Sequence, residues 1–357
     1  MEFTKNGGAA IQAMIDAACE NGSRQAHITG NYEIEKTILI PSDFTLILEN
    51  CHLVMADDTF CNMFRNARAG TNAGKTAEGG DRNIIIEGRG RVILDGGNYN
   101  GLSERNSEKD GRPHITVNNI LLFHNVDHFE ISGLYVCNQR WWALNFIFCR
   151  FGRIHNIEFK SDDTRIDENG ERVHGLLSRS NCYEQVVIKN SDGIDLRCGC
   201  HDIIIENITG FTQDDTIALT GLPGRIETEF FPVDGLPTDI HNVIIRNVNA
   251  AAYCAIVRLL NQGGIRLYNI LIDGVMDSSA TCPCLGRTAT GVRVGDLHMY
   301  SERHSTPDET CNITIRNVFT RANVGLRLAG SITNLVTDNI NGFDGCGVLI
   351  ENRANLY

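Results

Sequence analysis

The chain has 357 residues, 42% hydrophobic and 21% charged, proportions usual for a soluble protein but in a length above that of most single compact cores. A formal net charge of −12 excludes the basic face that nucleic-acid recognition requires, and it leaves an anionic substrate dependent on local arginines. No run approaches the ~20 apolar residues of a membrane-spanning helix, so neither nucleic acid nor membrane is an expected partner.

The first residues, MEFTKNGGAAIQAMIDAACENG, lack the basic and apolar regions of a secretory signal. Together with 13 irregularly spaced cysteines, this predicts reduced thiols and a cytoplasmic location. Cys198/Cys200 and Cys282/Cys284 have the spacing of alternate strand residues and read as packed thiols, since neither pair has a zinc-site spacing. No metal and no cofactor are expected. Residues 8–19 place Ile11, Met14, Ile15 and Ala18 at helical spacing, and Asn21-Gly22 follows as a stop. Short β-branched strands begin at 37–40 and 44–48.

From there a phrase of the form N-[VI]-x-I-x-[NG]-[VIL] recurs: NIIIEG at Asn83, DIIIENI at Asp202, NVIIRNV at Asn242, NILIDGV at Asn269, NITIRNV at Asn312 and NLVTDNI at Asn334. Its closing Asn or Gly falls at Gly133, Asn156, Asn207, Asn247, Gly274, Asn317 and Asn339, with adjacent separations of 22 to 27 residues where no insert intervenes. A strand, a bend that tolerates left-handed backbone and another strand, repeated at this period, predict an all-β fold. It is a single-stranded right-handed parallel β-helix with an N-terminal capping α-helix. No coil buries its own apolar face, so stacking makes the core, and the helix at 8–19 covers the first coil's open edge. Polar inserts near 65–81, 96–113, 161–174, 221–237, 277–290 and 296–310 map to loops that wall a groove. No linker interrupts the pattern, and 1–357 reads as one domain.

Residues 190–220 carry the chemistry. Asp192 and Asp195 stand in one repeat block and Asp214 and Asp215 in the next, with Asp214 22 residues after Asp192. That is one coil, so the carboxylates stack. Each motif alone is also an ordinary turn, for which Asp is well suited; the spacing within a β-helix favours catalysis.

On these residues the chain resembles the pectin-lyase-like β-helix superfamily and, within it, the polygalacturonases of glycoside hydrolase family 28. NGGAAIQAMIDAAC and the coil after it resemble the superfamily's N-terminal cap. Gly88-Arg89-Gly90 with Leu94-Asp95-Gly96-Gly97 resembles its G-x-G…IDG-G segment. Asn190-Ser191-Asp192 is similar to the family's Asn-Thr-Asp motif, and Gln213-Asp214-Asp215 to its paired-aspartate motif. The resemblance implies hydrolysis of a glycosidic bond by inversion. A carboxylic acid protonates the leaving oxygen while a carboxylate about 6.5–9.5 Å away activates water on the opposite face of the ring. It implies Asp214 as acid, Asp192 and Asp215 as the base, and Asn190 as a substrate-binding neighbour; Asp195 is left as an ordinary strand-end residue. The substrate implied is a uronate-containing or related poly- or oligosaccharide, bound by a monomer or a homo-oligomer such as a trimer.

The basic motifs of the family are degraded. Ala252-Tyr253-Cys254-Ala255 stands where Gly-His-Gly is expected, and Gly291-Val292-Arg293-Val294-Gly295 keeps the arginine of Arg-Ile-Lys without the lysine. Arg258 and Arg140 are candidates to grip an acidic sugar, Trp142 (or Trp141) and Tyr253 to stack on sugar faces, and His174 to replace the missing histidine. The pattern leaves open a polysaccharide lyase or intramolecular glycosyl-transfer enzyme, and a carbohydrate-binding β-helix without catalysis.

Overall fold

The computed structural model describes residues 2–57, 59–97, 119–139, 142–161, 164–166, 172–174, 192–282, 285–297 and 302–357. Asn190, Arg140, Trp141 and most of the 96–113 insert lie outside these residues.

The strands run parallel in a continuous right-handed β-helix, as the repeat predicts. Long strands such as Arg150–Lys160, His201–Thr212, Ile240–Ala252, Leu267–Asp277 and Thr310–Thr320 pair with one another in order. A second column of short strands stacks alongside, including Leu144–Ile147, Ile194–Leu196, Ile217–Gly221, Ala255–Asn261 and Thr290–Val294. Most coils therefore contribute one long bent strand and one short strand, and Val324–Gly342 runs through both columns as a single strand.

The bends lie where the sequence places them. Gly133, Asn156, Asn207, Asn247, Gly274, Asn317 and Asn339 all have positive φ, between 52° and 83°. The Asn side chains then bond from coil to coil: Asn207 Nδ2 donates to Asn156 Oδ1 at 2.9 Å, and Asn247 Nδ2 to Asn207 Oδ1 at 2.5 Å. A second ladder runs from Asp202 through Asn242, Asn269 and Asn312 to Asn334. In earlier coils that ladder's positions hold His128 and Phe151, both at positive φ, which replace the hydrogen bond with stacked rings 5.0 Å apart.

Between the bends, alternate residues point inward. Ile154, Ile205, Ile245, Ile272 and Ile315 stand in one register column and are all fully buried. Each such side chain contributes about 1.5–3 kcal/mol of burial, and like stacks on like along the coil axis.

The helix Gly7–Glu20 closes the first coil. Ile11 and Ile15 enter the core, while the Gln12 amide accepts from the backbone N–H of Leu39 and donates to its carbonyl, blocking the strand Ile38–Ile40. The Glu35 carboxylate accepts from the N–H groups of Gly8 and Ala9, capping the helix from the coil it covers. A Cβ on Gly7 or Gly8 would sit 2.6 Å from Tyr32 Cβ or 2.5 Å from the Lys36 carbonyl, which explains the Gly-Gly pair.

Among the described residues three of the inserts carry local structure: 161–174 contains the antiparallel hairpin Thr164–Ile166/Arg172–His174, 221–237 the short helix Ile226–Phe230, and 277–290 the 3-10 turn Ser279–Thr281. All described cysteines are free thiols. Cys149, Cys198 and Cys200 belong to the core, and burial pushes the thiols of Cys198 and Cys200 up. Among the described residues no helix is long and apolar enough to cross a membrane.

Candidate active site

In the short-strand column alternate residues face outward. In Ile194–Leu196 the flanking residues are core, so Asp195 faces out, in register with Asn145 on one side and Ala218 on the other. Arg258, Arg293 and Arg327 continue the row. The turns that lead into these strands carry the remaining groups: Asp192 before Ile194, Asp214 and Asp215 before Ile217, and Cys254 before Ala255.

The coil is one residue longer here than the Asp192–Asp214 spacing. Ile194 pairs with Ile217, and the Gly193 N–H donates to the Asp215 carbonyl at 3.0 Å, so Asp192 lies level with Asp215. Asp192, Asp195, Asp214 and Asp215 are all at most 7% exposed. Burial, then the charges of Asp195, Asp214 and Asp215, raise the Asp192 carboxyl well above the usual carboxylate range, against the pull of Arg258. Asp195 is raised well above it too, by burial and by Asp215 and Asp214, against Arg197. The reading of Asp195 as a plain strand-end residue is therefore corrected: it is a member of the acidic cluster. The local signal was present, because an Asp between two core residues of a strand must point outward.

Asp215 is the anchored member. Its Oδ1 accepts from the Ala255 N–H at 2.9 Å and its Oδ2 from Arg258 Nη1 at 3.2 Å. Oxygens of Asp214 and Asp215 and the Cys254 sulfur lie within 4.8 Å of one another. Burial, then Asp215 and Asp214, raise the Cys254 thiol well above its ordinary value, so it faces the carboxylates as a neutral group. Arg258 Nη2 also donates to Asp296 Oδ1 at 3.1 Å, and Arg293 donates to the same oxygen. Asp296 escapes the sequence reading because it opens the 296–310 insert; its place three residues after Arg293 was the available clue.

Of the residues proposed from sequence, Asp192, Asp214, Asp215, Arg258 and Arg293 come together. Trp142 is half-buried, and Arg197, ion-paired to buried Glu227 from the 221–237 insert, lies over its ring at 4.0 Å. Tyr253 is 5% exposed and packs with Phe211, Ala251 and Leu285, so the expectation that it stacks on sugar is replaced by a packing role. The backbone of His174 ends the 161–174 hairpin, and its side chain lies outside the description, as Asn190 and Arg140 do. The Arg197–Glu227 pair joins residues 30 apart with no local signal in sequence.

Solved structures give the same architecture. A polygalacturonase from Erwinia carotovora ssp. carotovora is similar over 100% of this chain and 95% of its own, with a TM-score of 0.61 and 12% identity. A hyperthermoactive exopolygalacturonase from Thermotoga maritima is similar over 99% of this chain and 88% of its own, with a TM-score of 0.56 and 14% identity. The A-module of a mannuronan C-5 epimerase from Azotobacter vinelandii matches 94% of this chain and 72% of its own, with a TM-score of 0.51 and 14% identity. At such identities the likeness is one of fold, and the epimerase marks that fold as compatible with other chemistry. No curated protein matches the chain by sequence. The family model for glycosyl hydrolases family 28, however, matches residues 32–230, which include Asp192, Asp195, Asp214 and Asp215, and on that match the chain belongs to the family.

Proposed function

We propose that the protein is an inverting glycoside hydrolase acting on a poly- or oligosaccharide of the uronate-containing or related kind, with Asp192, Asp214 and Asp215 as its reacting carboxyls. The observation that carries this reading is the acidic cluster: carboxyls on adjacent coils, buried, with proton affinity raised at Asp192 and Asp195. Inversion needs one carboxyl that keeps a proton near neutrality and one that has lost it. In so tight a cluster the retained protons belong to the group rather than to one residue. Asp214, assigned as acid by the family pattern, draws on that shared supply to protonate the leaving oxygen. Asp215, held by Arg258 and the Ala255 N–H, and Asp192, level with it across the coil, orient and deprotonate the attacking water.

The test is a glycan panel incubated with wild type and Asp214→Asn, scored for reducing ends, unsaturated ends and product anomer. Wild type is expected to release reducing ends of inverted configuration. The variant is expected to fold normally and lose roughly 10²–10⁴-fold in kcat, the usual worth of a general acid. Undiminished turnover in Asp214→Asn, retained configuration or unsaturated ends would each overturn the mechanism.

A further inference from the structure

Besides the acidic cluster with Cys254, the described residues bring one other group of metal-ligating side chains together. The long strands His201–Thr212 and Ile240–Ala252 are parallel neighbours, and their register sets His201 beside His241. The two imidazoles stack with centroids 4.7 Å apart and planes 4° from parallel. Tyr268 of the next coil continues the stack at 4.7 Å, and Phe151 closes its other end edge-on at 5.6 Å. The ring faces are therefore covered, and the ring edges, which carry the nitrogens, are what the stack leaves available.

Asp202 completes the group. It opens the Asn ladder at positive φ and commits only Oδ1 to it, accepting from Asn242 Nδ2 at 3.0 Å. Its Oδ2 turns to His201 Nδ1, 2.6 Å away. One nitrogen from each ring and a carboxylate oxygen of Asp202 lie within 4.8 Å of one another. A plain His–Asp hydrogen bond accounts for His201 and Asp202, and stacking accounts for the rings. Neither accounts for His241 Nδ1, which is buried and has no hydrogen-bond partner among the described residues, a costly state for a ring nitrogen. The His201 and Asp202 side chains are 24% and 34% exposed, so an ion from solvent reaches the group.

We propose that His201, Asp202 and His241 form a site for a divalent transition metal of the zinc class. The donor set selects the class: two imidazoles and a carboxylate suit zinc, cobalt or nickel, whereas calcium and magnesium take oxygen ligands. Cysteine spacing carries the expectation of no metal, and no cysteine belongs to this group. Zinc–nitrogen bonds at tetrahedral angles set the two nitrogens about 3.4 Å apart, so the side chains close on the ion by about 1 Å. The ion joins residues 40 apart and clamps the ends of the coil that carries Asp214, Asp215 and the 221–237 insert. Its role is to restrain that coil, by closing a long loop.

Calorimetric titration of the full chain with zinc chloride and with calcium chloride tests the site, beside Asp202→Asn, His241→Phe and Cys254→Ser. Asp202→Asn keeps the ladder, since Asn holds this position in the following coils, and His241→Phe keeps a ring in the stack. Wild type is expected to bind one equivalent of zinc here and calcium about tenfold or more weakly. Asp202→Asn and His241→Phe are each expected to weaken that equivalent about tenfold or more. Cys254→Ser, which takes a ligand atom from the separate Asp214–Asp215–Cys254 group, is expected to leave it unchanged. Zinc is also expected to raise the melting temperature of wild type more than that of Asp202→Asn. The proposal is overturned if wild type binds no zinc, if both ligand variants stay within about threefold of wild type, or if only Cys254→Ser loses zinc. Should one ligand variant fail to fold by circular dichroism, the other decides.

Discussion

Asp195 illustrates how one residue can serve a site while opposing the fold. Its folded-state proton affinity, like that of Asp192, lies above the ordinary aspartate value, chiefly through burial. The sign follows from linkage: the stability these carboxyls contribute is complete below the unfolded aspartate range and is lost as pH rises through their raised folded values. Asp195→Asn removes the charge and keeps the shape. It is expected to stabilise the fold at pH 7 by on the order of 1 kcal/mol, seen as a raised melting temperature, with the gain disappearing near pH 3. Thermal melts of both proteins across that range check the sign; a variant less stable than wild type at pH 7 refutes it. Sequence made three of the acidic residues legible because a known motif and a coil spacing coincide on them. Asp195 and Asp296 carry only weak local signals, an outward position between two core residues and a place three residues after Arg293, and their importance shows only in contacts with other residues of the cluster.

At the scale of elements, the bends were the most legible feature of the chain. Asn is among the few residues that adopt left-handed backbone at low cost and also carry an amide to share with the next coil. Every Asn or Gly aligned from the repeat has positive φ in the structure. Asn207 both accepts from Asn247 and donates to Asn156. Asn207→Ala combines left-handed strain with two lost hydrogen bonds, and a cost of about 2–3 kcal/mol is expected in urea unfolding. Asn207→Gly keeps the backbone without strain and is expected to cost about half as much. Equal costs would show that the ladder, and not the backbone, dominates. His128 and Phe151 were illegible as bend residues because neither matches the Asn or Asp of the repeat at that position; their rings stack across the coil.

For the molecule as a whole, each coil leans only on its neighbours, and the ends need separate protection. Helix Gly7–Glu20 supplies it at the first coil through Ile11, Ile15 and Gln12. Ile11→Ala is expected to destabilise by about 2–4 kcal/mol, while Gln12→Ala, which frees the Leu39 edge, is expected to change stability little and to promote association. Denaturant melts and light scattering separate the two; a Gln12→Ala protein that stays as dispersed as wild type argues that the edge is protected by other means. The helix and the β-helix were readable because each rests on a period in the sequence. The route of the 221–237 insert, which delivers Glu227 to Arg197, was not, because an insert has no period.

The crowding of Asp192, Asp195, Asp214 and Asp215 on two adjoining coils has a mechanical consequence. In a one-dimensional array, load passes through every turn in series, and the turn with the least cohesion yields first. As the clustered carboxyls ionise, the turn from Ile194 to Gly221 becomes the one where like charges are pressed together in the middle of the rod. Stretched between its ends, the protein is expected to part there, at its chemical centre, and to become tougher under tension as the solution is acidified.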